Sequence, residues 1–258
     1  MKKIYNYLTF FYAYFISTYE ALFLKTKQNA QSKKSDILDK GFQEITFSED
    51  FNFNFNLSNL LQVNKYMKKI ILNEKELSEL INYFFIRLDL VRKITRLTNY
   101  NYSVDFFIAY KTYAISNEDA DKPWFANHWH LDRPFSNNAL KVIIPLKDIN
   151  SEDFGGIQVL TKEKSKKILN NKKCLNDNNI NADYQMIVKK NTLLLFNPKL
   201  CLHKAGNPKN NNTREQIMFQ LNPSKHWKIN LNIHQKQNFK EPKFPFISYF
   251  FDKKILLN

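Results

Sequence analysis

Short runs of β-branched and aromatic residues dominate the chain between residues 103 and 221 and limit what it can fold into. Clusters of Asn, Asp, Gly, Pro and Lys separate these runs. Because segments of this length and composition are typical of strands, they predict a closed or sandwiched antiparallel β unit with helices packed outside it. The runs are SVDFFIAYKTYAI, ALKVIIPL, GGIQVL, YQMIV, TLLLF and REQIMFQL.

The first hundred residues have different patterns. Asn73 and Glu76 have the spacing of a capping box, and apolar residues then recur at helical intervals, which predicts a helix over residues 74–97. FNFNFNL, at 51–57, alternates as a half-buried strand does. We expect one domain, which has a helical layer over 1–100, a β core over 101–225 and an aromatic tail over 226–258.

The formal net charge of +15 indicates a soluble, lysine-rich surface and not a nucleic-acid site. Five of the 39 basic residues are arginines, and the lysines are scattered among Asn, Ile, Phe and Tyr. No basic run with interleaved aromatic residues forms a track for phosphates, so we expect no nucleic-acid partner. Two cysteines are too few for a disulfide framework and predict a reduced, cytoplasmic protein.

Residues 1–25 allow three interpretations. We favour a helix packed on its own domain; a helix lying on a membrane surface, with weak membrane contact, and a signal peptide are the alternatives. The polar positions of that helix recur at helical spacing, and no segment has the unbroken apolar length of a spanning helix. The expected polar face has Asn6, Thr9, Ala13, Ser17 and Glu20, and the apolar face Ile4, Leu8, Phe11, Phe15 and Leu22.

The segment HWHLDRP, at 128–134, concentrates residues that bind metals. Residues two apart in a strand point to the same face, so His130 and Asp132 project together, and His128 shares their parity. One imidazole and one carboxylate are two-thirds of the 2-His-1-carboxylate triad, which holds non-heme Fe(II) and leaves coordination positions open. This chemistry favours His130 and Asp132 as the pair.

Two residues downstream complete a possible site. His203 lies between an apolar strand and a turn rich in Gly, Pro and Asn, and Arg214 opens the next strand eleven residues later. A guanidinium pairs bidentately with a carboxylate. A third metal ligand followed by an arginine is therefore what a site for a dicarboxylic acid needs.

Residues from about 103 to 224 resemble the phytanoyl-CoA dioxygenase family of Fe(II)/2-oxoglutarate oxygenases. The family motif W-H-x-D is matched by Trp129, His130 and Asp132, the distal histidine by His203 and the arginine by Arg214. The strand ALKVIIPLKDI, the turn DFGGIQVL and the closing strand REQIMFQLNPS are also similar. The resemblance implies a mainly β fold with flanking helices and a double-stranded β-helix core, of the jelly-roll or cupin-like kind.

The resemblance also implies an enzyme that hydroxylates an unactivated C–H bond of a small-molecule substrate and decarboxylates 2-oxoglutarate to succinate and CO2. His130, Asp132 and His203 would bind Fe(II), Arg214 would hold the far carboxylate of 2-oxoglutarate, and O2 would be the oxidant. Desaturation, epimerisation or ring formation at the same iron is one alternative. A catalytically inactive basic binding module on this fold is another.

Neighbouring strands supply further candidates. In the resembling family the strand that corresponds to residues 110–113 contacts the co-substrate, and we name Tyr113 and Lys111 from it. Gln220 is a third candidate, because it lies at even spacing from Arg214 on the closing strand.

Two positions depart from the family pattern. Ala205 stands where many members have a hydroxyl residue that helps to hold the co-substrate, and residues 160–164 replace a Pro-Gly-Ser-His-like segment. Beside the metal motif, we expect His128 to be a hydrogen-bonded residue that leads into the strand. Trp129, on the opposite parity, is expected to pack in the core.

Overall fold

The computed structural model describes residues 15–26, 35–51, 59–132, 134, 136–171, 180–230 and 254–257. The predictions for residues 1–14, for most of 51–57 and for most of the tail after residue 230 lie outside these ranges.

The described residues form twelve strands and several short helices. The strands are β1 (Phe42–Thr46), β2 (Leu60–Asn64), β3 (Met67–Ile70), β4 (Asn101–Tyr113), β5 (Leu140–Pro145), β6 (Gln158–Val159), β7 (Tyr184–Gln185), β8 (Thr192–Phe196), β9 (His203–Lys204), β10 (Thr213–Ser224), β11 (Lys228–Asn230) and β12 (Lys254–Leu256). The helices are α1 (residues 15–19, continued by a π-helical turn over Glu20–Leu24), α2 (Asp36–Asp39), α3 (Glu74–Ile81, continued by a π-helical turn over Asn82–Arg87), α4 (Leu90–Thr98) and α5 (Lys162–Asn170), with 3-10 turns at Asn117–Asp119 and Glu152–Phe154.

Nine of the strands form one sheet, in the order β1-β8-β5-β10-β4-β11-β12, with β3 also pairing with β4 and β2 pairing with β3. The order β7-β6-β9 describes a second, smaller sheet. The six runs that predicted strands correspond to β4, β5, β6, β7, β8 and β10. The predicted mainly β architecture with flanking helices is confirmed, while the domain boundaries at residues 100 and 225 stay a prediction.

Alternation along β10 gives the larger sheet two different faces. Ile217 and Phe219 are fully buried in a core that they share with aromatic residues of the turn after α3. Met218 lies on the opposite face and packs in a second cluster with Val159 of the smaller sheet. We call this second face, which carries Arg214, Gln216, Met218 and Gln220, the pocket face.

The helix predicted over residues 74–97 starts as expected. The Asn73 side chain accepts a hydrogen bond of 2.9 Å from the Glu76 N–H, and the Glu76 carboxylate accepts one of 2.8 Å from the Asn73 N–H. This reciprocal pair satisfies two backbone donors that the first helical turn leaves unpaired. The predicted capping box is confirmed.

The same helix is not continuous, contrary to the prediction. The π-helical turn over Asn82–Arg87 widens the backbone where the consecutive residues Phe84 and Phe85 are both fully buried. Asp89 then has a left-handed conformation with φ of 57° and separates this turn from α4. Packing of two adjacent phenylalanines on the sheet therefore overrides the regular helical repeat.

The segment that contains α1 packs on the domain through a face other than the predicted one. Ile16, Glu20 and Leu24 are buried, and the Glu20 carboxylate accepts a hydrogen bond of 2.8 Å from the Asn138 side chain. The residues of this segment with large exposed apolar side chains are Phe15, Leu22 and Phe23. None of the described helices combines the length and the hydrophobicity that a membrane span requires.

Replacing Phe85 with Ala should lower the free energy of unfolding by about 3–5 kcal/mol, because the substitution leaves a cavity against Phe219, whose ring centroid lies 5.2 Å away. Urea denaturation measures this change. The matched control is Ile86→Ala in the same turn, where the side chain is 36% exposed and the expected loss is below about 1 kcal/mol. Equal losses in the two variants would contradict the proposed packing.

Candidate metal centre

Three side chains converge between the two sheets. One ligating atom from each of His130, Asp132 and His203 lies within 4.8 Å of the others. The Nε2 atom of His130 is 3.6 Å from Asp132 Oδ1, and the Nε2 atom of His203 is 3.7 Å from Asp132 Oδ2. Two imidazole nitrogens and a carboxylate on one side of a central point form the 2-His-1-carboxylate arrangement.

Backbone pairing brings the two histidines together. His130 and His203 form an antiparallel bridge in which each N–H donates to the carbonyl of the other, at 3.1 and 3.0 Å. His203 belongs to β9, so this bridge places His130 beside the edge of the smaller sheet. The N–H of Asp132 donates to the Pro198 carbonyl at 2.9 Å, which fixes the carboxylate next to them.

Each histidine is oriented by its second ring nitrogen. The Nδ1 atom of His130 lies 2.8 Å from the His128 carbonyl, and that of His203 lies 2.9 Å from the Cys201 carbonyl. A carbonyl oxygen only accepts, so both Nδ1 atoms carry a proton, and Nε2 is the ring nitrogen that each histidine has available for a metal. Backbone carbonyls commonly orient metal-binding histidines in this way.

The protonation states suit a cation. Burial lowers the pKa of His203 to about 3, so the ring is neutral near pH 7. Burial by itself would raise the pKa of Asp132, but the charge of Lys141 and the neighbouring histidines outweigh it and lower the pKa, which keeps the carboxylate ionised. The Lys141 ammonium forms an ion pair with Asp132 Oδ2.

Arg214 is a buried cation on the pocket face. It is 2% exposed, and its Nη1 atom donates to the carbonyls of Gly155 and Gly206. Its Nε and Nη2 atoms have no hydrogen-bond partner among the described residues. A buried charge is costly unless it is paired, so these two donors indicate a site for an anion.

Glycines allow the backbone to approach the guanidinium. A Cβ atom on Gly206 would lie 2.4 Å from the Gly156 carbonyl oxygen, and one on Gly156 would lie 1.9 Å from the Met186 carbonyl oxygen. Gly155 has a φ of 69°, which L side chains rarely adopt. The strands and turns around Arg214 therefore pack in a way that any side chain at these three positions would prevent.

Further polar groups surround Arg214 on the pocket face. Thr112 lies directly opposite it on β4, is fully buried, and has a hydroxyl without a partner among the described residues. Gln216 is also buried; its amide donates to the Tyr110 hydroxyl, and its Oε1 atom has no described partner. Sequence reasoning did not select Thr112 or Gln216, although their spacing from Arg214 and Tyr110 could have indicated them.

Lys69 shares this end of the pocket face. It lies opposite Tyr110 in the pairing of β3 with β4 and is 3% exposed. Burial lowers the pKa of its ammonium to about 8. Sequence reasoning did not select Lys69, although alternation along β3 puts it on the same face as the apolar Met67.

Lys111 and Tyr113 lie on the opposite face of the sheet from Arg214, so their prediction as pocket residues needs correction. The Lys111 ammonium forms an ion pair of 2.8 Å with Glu215 and lies 5.7 Å from the centroid of the Tyr113 ring. Alternation along β4 instead places Tyr110 and Thr112 on the pocket face.

Gln220 is on the pocket face but far from the buried arginine. Six residues at about 3.3 Å each separate it from Arg214, which is roughly 20 Å along the strand. Its partner on β5 is Lys141, so it belongs to the end of the sheet that adjoins Asp132.

The remaining predicted residues have local structural contacts. Ala205 lies beside the apolar cluster under the pocket face, and Thr161 N-caps α5 by accepting a hydrogen bond of 3.3 Å from the Lys164 N–H. Trp129 is buried against Ile168 of α5 and against Leu202, the residue before β9. The ring of His128 is not part of the three-residue cluster, and its buried Nε2 atom has no hydrogen-bond partner among the described residues, contrary to the hydrogen-bonded role expected for it.

Comparison with known proteins finds similar folds among solved structures. No family model matches the sequence, and no curated protein matches it. The crystal structure of HygX from Streptomyces hygroscopicus with nickel, 2-oxoglutarate and hygromycin B bound is similar with a TM-score of 0.50 and 14% identity, over 74% of this chain and 86% of HygX. At this identity the similarity concerns the fold, and it confirms the predicted jelly-roll or cupin-like class.

Two further structures are more distant. EctD from S. alaskensis with bound Fe has a TM-score of 0.47 and 11% identity, over 78% of this chain and 81% of EctD. SnoN, a non-heme alpha-ketoglutarate-dependent epimerase from nogalamycin biosynthesis, has a TM-score of 0.46 and 10% identity, over 72% of this chain and 79% of SnoN. Membership of the phytanoyl-CoA dioxygenase family stays a prediction.

Replacing Lys69 with Met should remove the part of the pH dependence of stability that Lys69 causes above pH 8. The folded state lowers the pKa of Lys69 to about 8, so the unfolded chain binds more protons above that pH. The destabilisation by Lys69 is therefore complete below pH 8 and disappears as the pH rises toward the ordinary lysine value.

Urea denaturation at several pH values between 7 and about 10.4 would measure this effect. The difference between Lys69→Met and the wild type should shrink as the pH rises. Lys68→Met, which removes the adjacent lysine from the opposite face of β3, is the matched control. A stability difference that is the same at every pH would contradict the assignment.

Proposed function

We propose that this protein is an Fe(II)- and 2-oxoglutarate-dependent dioxygenase that oxidises a small-molecule substrate. One observation supports this function above all. The three-residue cluster of His130, Asp132 and His203 lies on the same side of the larger sheet as Arg214, a buried cation with two guanidinium nitrogens that lack a described partner. A metal ion would bind the three-residue cluster, and one carboxylate of a diacid would pair with Arg214.

The residues of the cluster fit ferrous iron. Two imidazoles that bind through Nε2 and one ionised carboxylate are the ligands of non-heme iron oxygenases, and three ligands leave positions open for co-substrate and oxygen. His130, Asp132 and His203 would hold the ion. Bound Fe(II) would supply the activation of dioxygen, with electrons from the decarboxylation of 2-oxoglutarate to succinate and CO2.

The environment of Arg214 fits the far carboxylate of 2-oxoglutarate. The carbonyls of Gly155 and Gly206 hold Nη1, so that Nε and Nη2 form a planar pair of donors that matches the two carboxylate oxygens. Thr112 would donate the hydroxyl hydrogen bond that Ala205 cannot provide. Lys69, on the same row as Tyr110, would add a second positive charge near the dianion.

We further propose hydroxylation of an unactivated C–H bond as the outcome. An ionised carboxylate completes the metal cluster, and Met218, Ile143 and Ile108 form an apolar row between Arg214 and the Lys141 end of the pocket face. The apolar row would exclude water and orient a hydrocarbon portion of the substrate. Incorporation of one atom from labelled dioxygen into the product would distinguish hydroxylation from desaturation, epimerisation or ring formation.

Turnover tests the proposed iron site. Purified protein supplied with Fe(II), ascorbate and 2-oxoglutarate should release succinate, and His130→Ala should reduce that release to background because the substitution removes one of three metal ligands. Succinate and bound iron are the measured quantities. His128→Ala is the matched control, since it removes a neighbouring ring but keeps the carbonyl that orients His130.

Equal succinate release from the wild type and His130→Ala would contradict the proposed iron site. Absence of Fe(II)-dependent 2-oxoglutarate binding to the wild type would favour the alternative function, a catalytically inactive basic binding module on this fold.

Binding of the co-substrate tests the proposed role of Arg214. Replacing Arg214 with Met should weaken 2-oxoglutarate binding by about 100-fold or more, because two charge-assisted hydrogen bonds are lost, while iron binding is retained. Calorimetric titration of the iron-loaded protein under anaerobic conditions measures both. Arg92→Met removes an exposed arginine from α4 and should leave the affinity unchanged. An unchanged affinity of Arg214→Met for 2-oxoglutarate would show that the co-substrate does not bind at Arg214.

A further inference from the structure

A second polar group lies on the pocket face at the end away from Arg214. Lys141 on β5 is directly opposite Gln220 on β10, so both side chains leave the sheet in the same direction. The Lys141 side chain is 13% exposed. Gln220 is partly exposed.

Aromatic residues flank this pair on the neighbouring strands. Phe196 of β8 is opposite Lys141, and Phe106 of β4 is opposite Gln220. The four side chains therefore form one row across the sheet. The next row, which contains Ile143 and Met218, is apolar and separates it from the polar residues around Arg214. The two polar ends of the pocket face are distinct sites.

The Lys141 row adjoins the candidate metal centre. Lys141 forms an ion pair with Asp132, and the ring of Phe196 lies 4.9 Å from that of His203. A group held by Lys141 and Gln220 would therefore lie beside the cluster. The group would approach it from a direction other than that of the proposed 2-oxoglutarate site.

When a metal ion is bound, the nearly buried positive charge of Lys141 would need an anion in addition to Asp132. Asp132 would then share its negative charge with a divalent cation, and the nearly buried ammonium would lie next to two positive charges. Asp105 lies farther along β4, where Ser103 and Asn222 donate to its carboxylate at 2.8 and 2.9 Å. Among the described residues, Lys141 has no ion pair with Asp105.

We propose that Lys141 and Gln220 hold a carboxylate group of the primary substrate, so that the enzyme acts on an organic acid. An ammonium and an amide N–H₂ are two adjacent donors, which matches the two oxygens of a carboxylate. Phe106 and Phe196 would contact the adjoining carbon atoms. The proposal rests on the proposed function, because it assigns the substrate class of the same site.

The test compares matched acids and amides as probes. Wild-type protein, Lys141→Met, Lys141→Arg and the control Lys75→Met, whose lysine is exposed on α3, are loaded with Fe(II) and saturating 2-oxoglutarate without oxygen. Benzoate and benzamide, phenylacetate and phenylacetamide, and hexanoate and hexanamide are then titrated. Binding is measured by the change that each probe causes in the visible charge-transfer band of the Fe(II)–2-oxoglutarate chelate.

The wild type, Lys75→Met and Lys141→Arg should bind at least one acid about tenfold or more tightly than its amide, as expected for a charge-assisted contact. Lys141→Met should lose this preference while it still binds iron and still forms the band with 2-oxoglutarate. Gln220→Leu should weaken acid binding with no change in the iron content.

Other results would overturn the inference. Equal binding of acid and amide by the wild type, or binding of neither in all three pairs, would show that no carboxylate site exists. An acid preference that persists in Lys141→Met would overturn the inference, and loss of iron from Lys141→Met while Gln220→Leu binds the acids as the wild type does would assign Lys141 to the positioning of Asp132. Absence of the charge-transfer band in the wild type would instead overturn the proposed function, and this inference with it.

Discussion

The backbone bridge between His130 and His203 is the contact on which the candidate site depends. The two residues are 73 positions apart along the chain, and two hydrogen bonds fix their strands in register. That register directs both rings to one point, while carbonyls two residues earlier in each strand set the ring orientation. The arrangement of ligands is thus a property of the backbone pairing, and the side chains need little freedom to complete it.

The larger sheet arranges chemistry in rows across its strands. Along β10 the pocket face has Arg214 and Gln216, then Met218, then Gln220. Polar partners lie opposite both ends, in Thr112 and Tyr110 at one end and Lys141 at the other, and the partners of Met218 are isoleucines. Polar groups at both ends with apolar residues between them suit a site that binds two different molecules. Antiparallel pairing makes this possible, because it puts residues from distant parts of the sequence side by side on one face.

Sequence patterns predicted the strands and the pairing of His130 with Asp132 because these depend on short-range periodicity, whereas His203 came from its sequence context and the family resemblance; the metal-binding role of all three stays a prediction. Residues two apart share a face, so His130 and Asp132 could be paired without knowledge of the fold. Alternation shows that neighbouring residues of β4 point to opposite faces, but it does not show which face borders Arg214, and Lys111 and Tyr113 lie on the other face. The ion pair of Lys111 with Glu215 could be predicted only from the register of β4 with β10. Lys141 could not be assigned from sequence, because its neighbours on the pocket face come from residues 132, 196 and 220.

The break before α4 has a similar origin. Helical periodicity extends from residue 74 to 97, but the consecutive phenylalanines Phe84 and Phe85 both pack into the core, and the backbone departs from the regular helix to allow it. Long-range packing decided this feature, and so local propensity did not predict it.

Exposure varies in a graded way across the metal cluster. The His130 side chain is 31% exposed, that of Asp132 13% and that of His203 4%. If the cluster holds an ion as proposed, His130 would be the ligand nearest to solvent and His203 the most deeply buried one. Exchange of such an ion would then depend mainly on the outermost histidine, and shielding of the ion from water mainly on the innermost.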